Sequence, residues 1–134
     1  MKSLIIDDDN TCRYIFQALL SKYGQSDVFS NAFDAIEAYK TSLNKENPYE
    51  LILIDIMMPE MNGYEVLQNI RLLEEERNIS FPYNAKIILT TGLDDIENRQ
   101  IEQKLDAQSE TYLIKSSDHN ALYEKLNLFG FYLD

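Results

Sequence analysis

Four places in the chain set polar, chemically useful residues directly behind short apolar runs. Asp7 and Asp8 follow Leu4, Ile5 and Ile6; Asp55 follows "LILI"; Thr90 and Thr91 follow "KIIL"; Lys115 follows "TYLI". Each run has the length and continuity of a strand buried on both faces. If all four are strands of one parallel sheet, they end at the same edge and their polar residues share a rim. Carboxylates gathered in one cleft oppose each other's ionisation unless positive charge joins them. A hard cation such as Mg²⁺ supplies it, taking oxygen ligands and keeping several waters. The ammonium of Lys115 adds a compact second charge. A carboxylate nucleophile, a cation, a lysine and a hydroxyl are the parts that phosphoryl transfer to an acid requires.

To bring these residues to one edge, the chain must return to the start of the sheet after every strand. The intervening stretches have the period for that. "TCRYIFQALLSKYG" carries Ile15, Phe16, Leu19, Leu20 and Tyr23 at helical spacing, with Gly24 as a left-handed cap. "SDVFSN" reads as a short second strand. A second helix runs through Phe33, Ile36, Tyr39 and Leu43, and a third through Val66, Leu67, Ile70 and Leu73. Glu74 to Glu76 read as its solvated end. "DDIENRQIEQKL" is a weaker fourth helix with only Ile96, Ile101 and Leu105 on its face, and "DHNALYEKLNLF" is the fifth. Strands alternating with helices predict an α/β fold with a parallel sheet covered on both faces. The length predicts a single domain over residues 1–134.

The balance of 12 basic and 23 acidic residues leaves a net charge of −11. Such a chain repels nucleic acid and anionic membrane surfaces, which disfavours both as direct partners. Cys12 is the only cysteine, so an intrachain disulfide is excluded. The N-terminal apolar run is too short for a signal-peptide core, and no run approaches a membrane span. These features predict a cytoplasmic protein without membrane insertion.

The stretches "LIIDDDN", "LILIDIMMPEMNG", "KIILTTG" and "YLIKS", in that order and each at a strand end, resemble the receiver domain of two-component response regulators. The similarity runs from about Lys2 to about Leu128, and the chemotaxis response regulator is the simplest relative. It implies a flavodoxin-like doubly wound (βα)5 sandwich with strand order 2-1-3-4-5. It implies that Asp55 is the phosphoacceptor. Asp7, Asp8 and Asp55 would hold Mg²⁺ together with the backbone carbonyl of Met57. Thr91 would close on the phosphoryl group, Lys115 would pair with one of its oxygens, and Tyr112 would be the aromatic switch. Tyr112 would report phosphorylation to a surface of the fourth helix, fifth strand and fifth helix. Asp9 is read as a solvated residue near the first helix, and His119 matches no functional position.

The partners implied are a sensor histidine kinase or histidine phosphotransfer protein as donor, and a downstream protein target. A stand-alone receiver of this kind is not an enzyme beyond its own phosphorylation and dephosphorylation. It acts by protein contact or by passing its phosphate onward in a relay. Two departures stand out. Ser116 follows Lys115 where relatives commonly have proline, often cis. A cis bond before serine costs several kcal/mol more, so the bond is open between cis and trans, and a trans bond would displace Lys115 or the last helix. Met57 and Leu93 are apolar at positions that flank the family's site, which implies shielding of the acyl phosphate from water.

A rival reading takes Asp7, Asp9 and Thr11 as the "D-x-D-x-T" of haloacid-dehalogenase-like phosphatases, with Asp7 as nucleophile and Asp9 as general acid. It leaves Asp55 and "MMPEMNG" unexplained.

Overall fold

The computed structural model describes residues 1–92, 100, 102–116 and 118–133. Five strands form one sheet: β1 (Lys2–Ile6), β2 (Gln25–Phe29), β3 (Leu51–Asp55), β4 (Lys86–Thr91) and β5 (Glu110–Ile114). All pair in parallel, in the order β2-β1-β3-β4-β5. The helices among the described residues are α1 (Asn10–Leu20), α2 (Ala32–Asn44), α3 (Gly63–Glu76) and α4 (His119–Leu128). The last corresponds to the fifth predicted helix. The predicted fourth, over residues 94–105, falls mainly outside the described residues. This is the doubly wound order expected, and the order in which strands are added reverses between β1 and β3.

Alternate strand residues serve two cores, which is why the strands read as unbroken apolar runs. Leu4, Ile6, Ile52, Ile54, Ile87 and Leu89 pack against α2 and α3. Ile5, Leu51, Leu53, Ile88 and Leu113 pack on the other face against α1 and α4. The central strands are buried along their whole length, and each buried Ile or Leu is worth about 1.5–3 kcal/mol.

The helices differ from the sequence reading in detail. The buried stripe of α1 runs through Cys12, Phe16, Leu19 and Leu20, which leaves Ile15 beside it and 40% exposed. In α2 the stripe runs through Ala32, Ala35, Ile36, Tyr39 and Leu43, and Phe33, about a third of a turn round, points to water. Gly24 does not cap α1, which ends at Ser21. Its φ of +146° and its lack of a side chain serve a crossing: a Cβ there would lie 2.0 Å from the Met1 carbonyl oxygen.

Three helices end in the two-bond left-handed cap known as the Schellman motif. In α4 the left-handed residue is Gly130 (φ +90°), with Phe131 N–H donating to the Leu126 carbonyl and Gly130 N–H to Asn127. In α3 the residue is Asn78, and in α2 it is Glu46 at φ +55°. A glutamate pays a steric cost there that glycine avoids. Glu46→Gly is expected to raise unfolding stability by about 1 kcal/mol, read as a higher urea midpoint at unchanged slope. A lower midpoint would refute the left-handed assignment.

Glu74 is not a solvated helix end: it is 2% exposed. It accepts hydrogen bonds from the Tyr39 hydroxyl (2.7 Å) and from Ala85 N–H (2.7 Å). Its other oxygen pairs with Arg71 (2.6 Å), whose Nε reaches Glu110 at 2.8 Å. Burial and the neighbouring Glu74 raise the Tyr39 pKa, so this hydroxyl stays a donor. The network ties α2, α3 and the starts of β4 and β5 together below the sheet.

Candidate functional site

Asp7 follows β1, and its N–H donates to the Phe29 carbonyl (3.1 Å), so it remains aligned with the sheet. Its side chain is buried at 1% exposure. Asp7 Oδ1 accepts Asp9 N–H at 2.9 Å. Asp9 in turn caps α1, accepting the N–H groups of Thr11 (2.7 Å) and Cys12 (3.2 Å). Arg13 Nη1 donates to the Asp7 carbonyl at 2.6 Å, and Nη2 contacts Asn10 Oδ1. The turn is thus held at several points, and Asp8 alone of its acids is left exposed beside the buried Asp7 without a capping duty.

Asp55 closes β3 opposite Thr90. Its Oδ1 accepts Met57 N–H (3.1 Å), and Ile56 N–H donates to the Thr90 carbonyl (3.0 Å). The loop then folds back: Gly63 N–H donates to the Ile56 carbonyl (3.0 Å). A Cβ at Gly63 would meet the Asp55 carbonyl oxygen at 2.8 Å, so glycine is what lets α3 start against the end of β3. Asn62 and Glu65 form a reciprocal capping box at that start. The Met57 side chain is 67% exposed, and Leu93 lies outside the described residues.

These elements converge. Carboxylate oxygens of Asp7, Asp8 and Asp55 lie within 4.8 Å of one another. Lys115, just past β5, places Nζ 3.0 Å from Asp7 and 3.3 Å from Asp55. Its own N–H donates to the Thr91 carbonyl at 2.7 Å. The Lys115–Ser116 bond is trans, the cis bond among the described residues being Phe81–Pro82. Lys115 is nevertheless not displaced from the pocket. Thr91 ends β4 fully buried, one residue beyond the register partner of Asp55. Tyr112 stands apart, midway along β5 and half-buried, with Lys125 Nζ 5.2 Å over its ring. His119 is exposed and belongs to no acidic cluster among the described residues.

Burial raises the Asp55 pKa to about 6, and Asp7 adds to that; Lys115 works in the opposite direction. Burial also opposes the charge of Lys115, but its contacts with Asp7 and Asp55 outweigh it and raise its pKa. Burial, then Asp7, raises Cys12, which keeps that thiol protonated. Because the folded pKa of Asp55 exceeds its unfolded value, the protonated acid stabilises the metal-free fold. That contribution is complete below about pH 4 and is lost as pH rises through 6. At about 1.4 kcal/mol per pKa unit the loss is on the order of 2–3 kcal/mol. In chelator, Asp55→Asn is expected to be the more stable protein at pH 8 by ~2 kcal/mol, a gap that closes by pH 4. Denaturant titrations at both pH values check this, and an equal gap at both would exclude Asp55 as its source.

The donor set fits a divalent cation. Asp7 Oδ2 is enclosed and makes an ion pair with Lys115 but no hydrogen bond among the described residues, so it retains lone pairs for a metal. Two buried carboxylates and an exposed one give the all-oxygen site that Mg²⁺ prefers. The sequence marks Gly63 as loop punctuation without its close approach to Asp55, and gives Arg13 no role. Nothing local marks Arg13 as a partner of the Asp7 carbonyl, whereas a glycine directly after Asn62, at a helix start, is a signal for close approach.

A five-stranded parallel sheet of order 2-1-3-4-5, with an acidic pocket and a lysine at the point where the strand order reverses, defines a flavodoxin-like α/β domain built to handle a charged ligand at that edge. Residues 3–127 match the profile of the response regulator receiver domain, and the chain belongs to that family. Its members are phosphoacceptor signalling modules, not enzymes of the ordinary kind.

A chemotaxis protein CheY homolog of Campylobacter jejuni is 31% identical over 126 residues, covering 94% of this chain and 89% of that protein. A probable transcriptional regulator, ycf27 of Cyanidium caldarium, is 34% identical over 113 residues, 84% of this chain but only 39% of that protein. The chain thus spans well under half of that regulator and nearly all of the chemotaxis protein. Among solved structures, the receiver domain of the histidine kinase CKI1 from Arabidopsis thaliana, complexed with Mg²⁺ and BeF₃⁻, superposes with a TM-score of 0.70. It is 24% identical and covers 94% of this chain and 89% of that one. No helix among the described residues is long and apolar enough to cross a membrane. The receiver profile stands against the phosphatase reading, and one oxygen of its general acid, Asp9, is engaged in capping α1.

Proposed function

We propose that this chain is a Mg²⁺-dependent phosphoacceptor in two-component signalling. Asp55 would receive a phosphoryl group from a phosphohistidine on a sensor histidine kinase or histidine phosphotransfer protein. The observation that carries this reading is the placement of Lys115 Nζ 3.0 Å and 3.3 Å from carboxylates that come from two different strand ends. A lysine so held supports a pairing with an oxygen of a phosphoryl group carried by Asp55.

Asp7, Asp8, Asp55 and the backbone carbonyl of Met57 would hold Mg²⁺. When bound, the cation neutralises charge on the phosphoryl oxygens. A carboxylate oxygen of Asp55 attacks phosphorus while the P–N bond breaks, and the donor imidazole leaves. Lys115 pairs with one phosphoryl oxygen, and the Thr91 hydroxyl donates to another. Phosphorylation adds charge and acceptor oxygens, and one of these is a new acceptor for the Thr91 hydroxyl. Tyr112 would relay that rearrangement to the surface around β5 and α4, including the predicted fourth helix. The output is contact with a downstream protein or onward transfer of the phosphate.

This reading treats residues 1–134 as a single receiver domain, which the 89% coverage of a chemotaxis protein supports. Incubation with Mg²⁺ and acetyl phosphate, followed by mass mapping, tests the assignment of Asp55. The apolar Met57 and Leu93 predict slow loss of the phosphate. A Met57→Asn, Leu93→Glu double variant should lose it faster in a dephosphorylation time course, and equal decay would remove the shielding role.

A further inference from the structure

At the end of the sheet opposite the acidic pocket, the segment between α3 and β4 carries Phe81, Pro82 and Tyr83 in a row. All three are exposed, Tyr83 at 85%. The segment is nonetheless firmly built. Lys86 Nζ donates to the carbonyls of Pro82 (3.2 Å) and Asn84 (3.0 Å) and lies 5.2 Å from the Phe81 ring centroid. Tyr83 N–H donates to the Ser80 carbonyl (2.8 Å), and the Asn84 amide donates to Ser109 Oγ (2.9 Å). A tied loop therefore holds the aromatics out into water. On the neighbouring helix, Leu72 is 56% exposed and shares a face with Glu75, three residues on.

Between this loop and the end of α3 lies a groove of about 510 Å³, whose lining includes Arg71, Glu75, Phe81 and Asp106. Its electrostatics are one-sided. The guanidinium that lines it, Arg71, is already shared between Glu74 and Glu110. Glu75 and Asp106 have no ion-pair partner among the described residues. Lys86 faces the loop carbonyls instead, and burial lowers its pKa. The groove thus combines the apolar Ile79 and Phe81 with two carboxylates that have no ion pair among the described residues.

We propose that this groove docks a segment of a partner protein that carries a lysine or arginine beside an aliphatic side chain. The cation sits between Glu75 and Asp106, and the aliphatic group covers Phe81. Exposed aromatics that a rigid loop presents cost little entropy to bind, and they are the usual anchors of interfaces. The net charge of −11 steers a basic segment toward the protein. The same charge disfavours a second copy of this chain or an anionic lipid surface as occupant.

The test is a titration of the full ¹⁵N-labelled chain with acetyl-Leu-Arg-Leu-Arg-amide, and with the peptide in which glutamate replaces arginine. The expected result is amide shifts confined to residues 72–86 and 106–109 for the basic peptide alone. Glu75→Lys and, separately, Phe81→Ser should each weaken that binding by roughly 10-fold. Phosphate uptake from acetyl phosphate should be unchanged in both variants, which shows that they are folded. No shift in the wild-type chain, shifts spread over the acidic surface, or equal binding by the variants would each overturn the proposal. So would sedimentation showing self-association of the wild-type chain that Phe81→Ser abolishes, since the groove would then hold a second copy.

Discussion

Asp55→Asn is expected to take up no phosphoryl group from acetyl phosphate and Mg²⁺, under conditions where the wild-type chain gains one on the peptide that contains Asp55. The carboxamide preserves shape and packing in a site that is 3% exposed, so loss of uptake would not reflect loss of fold. What disappears is the proposed nucleophile, because an amide oxygen cannot form the acyl phosphate. The contact with Lys115 at 3.3 Å weakens as well, since a neutral group now faces the ammonium. Intact-protein mass spectrometry and peptide mapping read the outcome. Undiminished labelling of the variant would disprove the assignment, and labelling of Asp7 in both proteins would revive the phosphatase-like reading. Asp9 argues against that outcome, because its oxygen is engaged by two helix N–H groups.

Asp8→Ala is expected to weaken Mg²⁺ binding by on the order of 100-fold while leaving stability almost untouched. Asp8 is exposed, and no hydrogen bond or ion pair to it occurs among the described residues, so its removal breaks nothing in the fold. Asp7 differs: it is buried, receives Asp9 N–H and pairs with Lys115, and truncating it would combine a binding effect with a folding effect. Calorimetric titration with MgCl₂ is the direct measurement, and the nine tyrosines and absence of tryptophan make an optical readout less certain to sense the pocket. Affinity should also fall as pH drops through about 6, where Asp55 takes up a proton, because the cation and that proton compete for the same oxygens. Binding of equal strength in wild type and variant, or an affinity flat between pH 5 and 8, would place the cation elsewhere.

The two results depend on different atoms. Asp55→Asn can abolish phosphate uptake while some metal binding survives through Asp7 and Asp8. Asp8→Ala reduces phosphate uptake only as far as the metal is missing, so excess Mg²⁺ should restore part of it. Uptake by Asp8→Ala that stays flat against Mg²⁺ concentration would separate the metal from the reaction.

The strand ends are legible in the chain alone, and with them the convergence of Asp7, Asp8, Asp55 and Lys115. A parallel sheet brings every strand terminus to one edge, so Asp7, Asp8, Asp55, Thr91 and Lys115 could be gathered without knowing a single distance. The apolar runs that mark the strands are local signals, and burial on both faces makes them continuous.

What depended on distant neighbours was hidden. Glu74 looks like any glutamate at a helix end until Tyr39, Arg71 and Ala85 close around it. Gly24 looks like a helix cap until the Met1 backbone is seen against it. Ile15 and Phe33 fit a helical period yet lie just off the buried stripe, because a period gives the spacing of a face and not its direction. The place of Lys115 despite a trans bond to Ser116 was likewise decided by the ion pairs it finds with Asp7 and Asp55. Only the folded chain decides such matters, since the partner that settles each one comes from another part of the sequence.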